Sequence, residues 1–186
     1  MGQSKKLIIM AERTIEIPQG VGVSVDGFKV AVSGSLGRVE KDFSSPLFRN
    51  EVKISKNGDK ITVSCDSKKR KVKSVAGTIE SHINNMISGV IKGYTYKLKI
   101  VFMHFPMTVK AAGKEVVVQN FLGEKSLRKA ETIGDVKVTI KDDDITVTGY
   151  NKEDVGQTAA NIERATKISA RDRRVFQDGI FLVSSE

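Results

Sequence analysis

The chain has 186 residues, 39% of them hydrophobic and 6% aromatic, and its 31 Lys+Arg outweigh 22 Asp+Glu for a net charge of +9. A single cysteine, Cys65, excludes an internal disulfide and suits a reducing, cytoplasmic setting. No run approaches the twenty apolar residues of a membrane-spanning helix, and the excess positive charge favours a polyanionic partner such as nucleic acid.

Residues 1–14 read as an N-terminal extension. Its apolar stretch Leu7–Ala11 after Lys5-Lys6 is too short for a secretory signal, and Lys6 stands where a myristoylation motif needs Ser or Thr. From residue 15, short alternating Val/Ile/Thr runs predict strands joined by turns at Asp26-Gly27 and Asn57-Gly58, residue pairs that tolerate positive φ. Lys68-Lys69-Arg70-Lys71-Val72-Lys73 then places five cations in six residues, just ahead of the first helix. Like charges so closely spaced repel, so a neutralising phosphate is the expected neighbour. Val75, Ile79, Ile83, Met86 and Val90 follow at helical spacing, predicting a helix about Gly77–Gly89.

A second series begins near Gly93. Strand runs meet at Ala112-Gly113 and Asp142-Asp143, and Val155, Ala159 and Ile162 predict a closing helix capped by Asn151, with Glu153 and Asp154 in its first turn. The two series match in order. Val23–Gly37 aligns without gaps on Val109–Gly123, Val52–Ser64 corresponds to Val136–Thr148, and Gly77–Ile83 echoes Gly156–Ile162. The expected fold is therefore α+β: two tandem copies of a small antiparallel sheet packed against one helix, over residues 15–93 and 94–186.

Little in the chain suggests catalysis. Neither His82 nor His104 has a nucleophile or carboxylate at a recognisable spacing, and one cysteine with two histidines gives no zinc site. Asp142-Asp143-Asp144 reads as a solvated hairpin rather than a calcium loop. Gly34-Ser-Leu-Gly37 looks like the GxxG of KH domains, but strand patterns flank it, so a structural turn is the better reading. No enzyme, cofactor, metal or small-molecule substrate is expected. Besides Lys68–Lys73, cations gather at Lys125, Arg128 and Lys129 and at Arg171, Arg173 and Arg174. By halves the net charge is +7 for residues 1–93 (16 cations, 9 acids) and +2 for 94–186 (15 and 13). Bulk charge points to the first half, but binding depends on which cations converge on one face.

Gly77-Thr-Ile-Glu-Ser-His-Ile-Asn-Asn-Met86, His104-Phe-Pro106, Asn120-Phe-Leu-Gly-Glu-Lys125, Val155–Ile162 and Arg174-Val-Phe-Gln-Asp-Gly179 resemble, in order, the family of ribosomal large-subunit protein six in its archaeal and eukaryotic branch. The resemblance covers nearly the whole chain after Thr14. It implies a structural, non-catalytic protein of the large ribosomal subunit that binds rRNA near the sarcin–ricin loop and stalk base, chiefly through its C-terminal domain, beside neighbouring ribosomal proteins. Carried onto this chain, the implied RNA contacts are Asn120, Phe121, Leu122, Gly123 and Lys125 with Arg128. Arg171, Arg173 and Arg174 with Phe176, Asp178 and Gly179 form the second group, and Lys68, Lys69, Arg70, Lys71 and Lys73 a further one. Arg164 stands where the family commonly has Gln, Phe181 where it has Tyr, and the Ser184-Ser185-Glu186 end lacks the basic residues of many relatives. Two other classes compete: a free-standing RNA chaperone acting through Lys68–Lys73, and an adaptor offering sheet edges to peptide strands.

Overall fold

In the computed structural model the described residues are 11–45, 51–67, 69–103, 105–169, 171–172 and 174–185. Lys68, His104 and Arg173, all singled out from the sequence, lie outside them. The chain divides into two compact units, Met1–Lys92 and Gly93–Glu186.

The first unit contains β1 (Ala11–Glu16), β2 (Gly22–Asp26), β3 (Lys29–Ser33), β4 (Arg38–Asp42), β5 (Val52–Asn57), β6 (Lys60–Cys65) and the helix α1 (Arg70–Lys92). Two antiparallel sheets form, in the orders β1-β6-β5 and β2-β3-β4. Strand alternation turns Val30 and Val32 of β3 and Ile61, Val63 and Cys65 of β6 inward. They meet the apolar stripe of α1, in which Val72, Ala76, Ile79, Ile83, Met86, Ile87 and Val90 are buried.

The second unit repeats the plan with β7 (Tyr94–Val101), β8 (Thr108–Ala112), β9 (Glu115–Gln119), β10 (Arg128–Glu131), β11 (Lys137–Lys141), β12 (Asp144–Gly149), α2 (Lys152–Ala165) and β13 (Gly179–Ser185). Its sheets run β10-β9-β8 and β11-β12-β7-β13. Setting β7 against β1, β12 against β6 and β11 against β5 gives the same order in both units, and β13 is an addition on the β7 edge. The core joins Val116 and Val118 of β9 and Ile145 and Val147 of β12 to Val155, Ala159 and Ile162 of α2. Asn151 caps α2 as its sequence position predicts, its side-chain oxygen accepting a hydrogen bond from Glu153 N at 3.2 Å.

Three expectations need adjustment. Each copy carries two small sheets rather than one: β2-β3-β4 and β8-β9-β10 are local meanders, whereas in the other two sheets a hairpin, β5-β6 or β11-β12, is joined by a strand distant in sequence, β1 or β7. The first sheet reaches back to Ala11, which pairs with Cys65, so it takes in residues assigned above to the extension. Finally, α1 starts at Arg70, seven residues before Gly77, so Arg70, Lys71 and Lys73 are helical rather than part of a preceding loop. Lys and Arg are good helix formers, and burial of Val72 and Ala76 outweighs the repulsion among their neighbours. Val75 is accordingly only half-buried.

Candidate nucleic-acid interface

The turn after β9 has an unusual backbone. A single 3-10 turn spans Phe121–Gly123, and Asn120, Leu122 and Gly123 all take positive φ, at 57°, 50° and 76°. Such values cost a non-glycine residue energy unless its surroundings hold it there, and two anchors do so. Asn120 donates from Nδ2 to the carbonyl of Pro106 at 2.9 Å. Phe121 is completely buried and pins the turn to the core. Leu122 is half-buried, while Gly123 and Lys125 are exposed. The Phe105 ring passes over Gly123, where an added Cβ would sit 3.6 Å from it.

A second turn, described at 171–172 and 174–179, feeds β13. Asp172 organises it: its side chain accepts from Arg174 N at 2.9 Å and binds the Arg174 guanidinium at 3.1 and 2.9 Å. The Arg174 side chain is 89% exposed, so this pair is weak and open to exchange with another anion. The Asp172 carboxyl is held below its ordinary range by the side-chain and backbone hydrogen bonds from Arg174. Arg171 stacks on the ring of half-buried Phe176, 4.9 Å from its centre. Asp178, only 1% exposed, accepts from Met103 N at 3.2 Å and so ties this turn to the segment that also holds Asn120.

Arg128 joins the first of these turns to the end of α2. Its guanidinium grips Glu124 through Nε to Oε2 at 2.9 Å and Nη2 to Oε1 at 2.7 Å. Its Nη1 donates to the carbonyls of Ala165, the last residue of α2, and Lys167 just past it, at 3.0 and 3.2 Å, and its central carbon lies 4.3 Å from the Phe121 ring centre. The Glu124 carboxyl is pulled below its ordinary range, first by the Arg128 hydrogen bond, which outweighs burial, and then by the charges of Arg128 and Arg171. Arg171 therefore bears on the 120–124 turn as well as on its own. Thr166, missed in the sequence, completes the joint: buried, it accepts from Ile180 N at 2.9 Å and donates to the Glu163 carbonyl at 3.2 Å. Beside it a cleft of about 740 Å³ is lined by Arg164, Lys167, Phe176, Gln177 and Phe181, among others.

The residues grouped from the sequence thus divide by position. Asn120, Gly123, Lys125, Arg171 and Arg174 are exposed around one joint, with Leu122 and Phe176 half-exposed. Phe121, Asp178 and Gly179 are buried, and shape the turns rather than present a surface. In the first unit Arg70, Lys71 and Lys73 are exposed at the start of α1 and, among the described residues, make no side-chain hydrogen bond or ion pair; Lys69 pairs with Glu51 at 3.3 Å. No acid occupies that first turn, so no carboxylate within it offsets the positive end of the helix dipole. His82 is half-buried, 3.3 Å from Lys41 Nζ and beside Phe43, and Cys65 is buried.

Two copies of one sheet-and-helix unit, the second bearing exposed cations on interlocked turns, define a class of duplicated, basic structural proteins. The sequence pattern of the family described as Ribosomal protein L6 matches twice, over residues 17–93 and 105–179. The chain is 54% identical over 170 residues to the large ribosomal subunit protein uL6 of Methanosphaera stadtmanae, covering 91% of this chain and 90% of the relative. It is 49% identical over 172 residues to that of Sulfurisphaera tokodaii (92% and 91%) and 53% identical over 171 residues to that of Staphylothermus marinus (90% and 91%). The chain belongs to the ribosomal protein L6 family. As a member it is a structural, non-enzymatic protein of the large ribosomal subunit, located in the cytoplasmic ribosome.

Proposed function

We propose that the chain binds large-subunit rRNA near the sarcin–ricin loop and stalk base, that residues 94–186 are its main RNA-binding domain, and that it thereby supports the translation-factor site. The observation that carries this reading is the exposure of Lys125, Arg171 and Arg174 on two turns anchored by Asn120, Arg128, Thr166 and Asp178. Cations on rigid backbone neutralise crowded phosphates and release counterions, while fixed turns select a local RNA shape. Because the deep major groove of an RNA helix admits few side chains, the contacts are to backbone and shape rather than base edges. Arg70, Lys71 and Lys73 at the start of α1, with Lys68 and Lys69, supply a second contact, and neighbouring ribosomal proteins share the site.

The test is salt-dependent binding of the full chain to an rRNA fragment spanning the sarcin–ricin region and to a shuffled RNA of equal length. Wild type should prefer the fragment by about tenfold or more, or about 1.4 kcal/mol. Changing Arg171, Arg173 and Arg174 together to Ala should erode that preference and flatten the salt slope by about one per lost phosphate contact. Equal binding of both RNAs, untouched by the triple change, would refute the assignment and point instead to a generic affinity centred on the first unit.

A further inference from the structure

We infer that Arg128 is a positioning residue: with Glu124 it clamps the 120–124 turn to the end of α2, and it is not itself a phosphate contact. The inference rests on the RNA-binding reading above. A guanidinium has five N–H donors, and Arg128 directs hydrogen bonds from Nε, Nη1 and Nη2 to Glu124, Ala165 and Lys167, four bonds in all. One flat face lies against the Phe121 ring and the side chain is 26% exposed, so an incoming phosphate meets a group already neutralised and nearly saturated. The carbonyls it holds flank Thr166, whose hydroxyl receives Ile180 N at the start of β13. Through that joint the clamp fixes the cationic 171–179 turn relative to Lys125. Only arginine offers a planar fork able to bind a carboxylate with one edge and two carbonyls with another; a lysine ammonium cannot span them.

The acidic partner makes the inference decidable, because electrostatics and geometry predict opposite signs. If Glu124 were only a negative charge near RNA, Glu124→Gln would tighten binding. As half of a clamp, Glu124→Gln should weaken binding to the sarcin–ricin fragment by about tenfold, the scale of one charge-assisted hydrogen bond. Arg128→Lys should weaken it similarly with the salt slope unchanged, and the double variant should be no worse than either single one. Binding to shuffled RNA should stay put. In the free protein, hydrogen exchange should speed up at Glu124, Lys167 and Ile180 in both variants, with the second unit still folded by its tyrosine fluorescence. Tighter binding by Glu124→Gln, a slope lowered by about one in Arg128→Lys, or unchanged exchange at those three amides would each overturn the clamp. A wild type with no preference for the fragment would instead overturn the RNA-binding reading, and the exchange measurement would still decide the clamp.

Discussion

Replacing Phe121 by leucine tests the foundation of the proposed interface, since the same ring could in principle be offered to a nucleobase. Phe121 is completely buried, and the Arg128 guanidinium carbon lies 4.3 Å from its centre. Leucine has three fewer carbons, so at about 0.8 kcal/mol for each buried carbon group the lost burial is about 2.4 kcal/mol. The cation–π contact adds about 1 kcal/mol, between the values for exposed and desolvated pairs. A loss of about 3.4 kcal/mol is a large share of the roughly 5–15 kcal/mol that holds a domain folded. It corresponds to a fall in Tm of about 15–25 °C for a unit of this size. Urea unfolding followed by tyrosine fluorescence reads this cleanly: there is no tryptophan, and Tyr94, Tyr96 and Tyr150 all belong to the second unit. A midpoint shift worth less than about 1 kcal/mol, together with weakened RNA binding, would refute the burial argument and return Phe121 to the surface.

Two further outcomes are expected. Gly34→Ala should destabilise the first unit by about 1–3 kcal/mol through overpacking, because the new Cβ would stand 2.7 Å from Val90 Cγ2 and 2.9 Å from the Val90 carbonyl oxygen. Circular dichroism should register that loss while the tyrosine transition stays in place; an unaffected first unit would mean that the turn relaxes. The Glu124 carboxyl, held below its ordinary range chiefly by Arg128, should stabilise the folded chain fully above the usual carboxylate value of about 4.3 and lose that contribution as pH falls through its lowered pKa. The stability gap between wild type and Glu124→Gln should therefore close on acidification, and a gap constant from pH 7 to about pH 2 would contradict the pairing.

The turns of the candidate interface in the second unit were legible because their residues are punctuated locally. Asn120-Phe-Leu-Gly123 and Arg174–Gly179 stand out as turns with neighbouring cations, and Asn151 announces the start of α2. The side of the chain to which each residue faces was not legible. The burial of Phe121 and Asp178 is invisible in the sequence, and so are the partners at 124, 165 and 167 that folding brings to Arg128. Thr166 gave no signal, since its role depends on Ile180 arriving fourteen residues later at a strand edge. The charge run at 68–73 stands ahead of the helix in a sequence reading because repulsion is visible in a sequence, whereas the burial of Val72 and Ala76 that extends α1 is not.

By itself, then, the sequence determined the duplication, the α+β class, the hairpin turns and the apolar faces, all of which depend on interactions among residues close in the chain or on a period of two or 3.6. Tertiary structure decided which strands share a ladder, why β13 joins β7, and which cations remain free to meet a polyanion. These depend on contacts between segments tens of residues apart: Arg128 bonds to the end of α2 because folding brings the Ala165 and Lys167 carbonyls within 3.2 Å, while Lys125 and Arg171 are exposed.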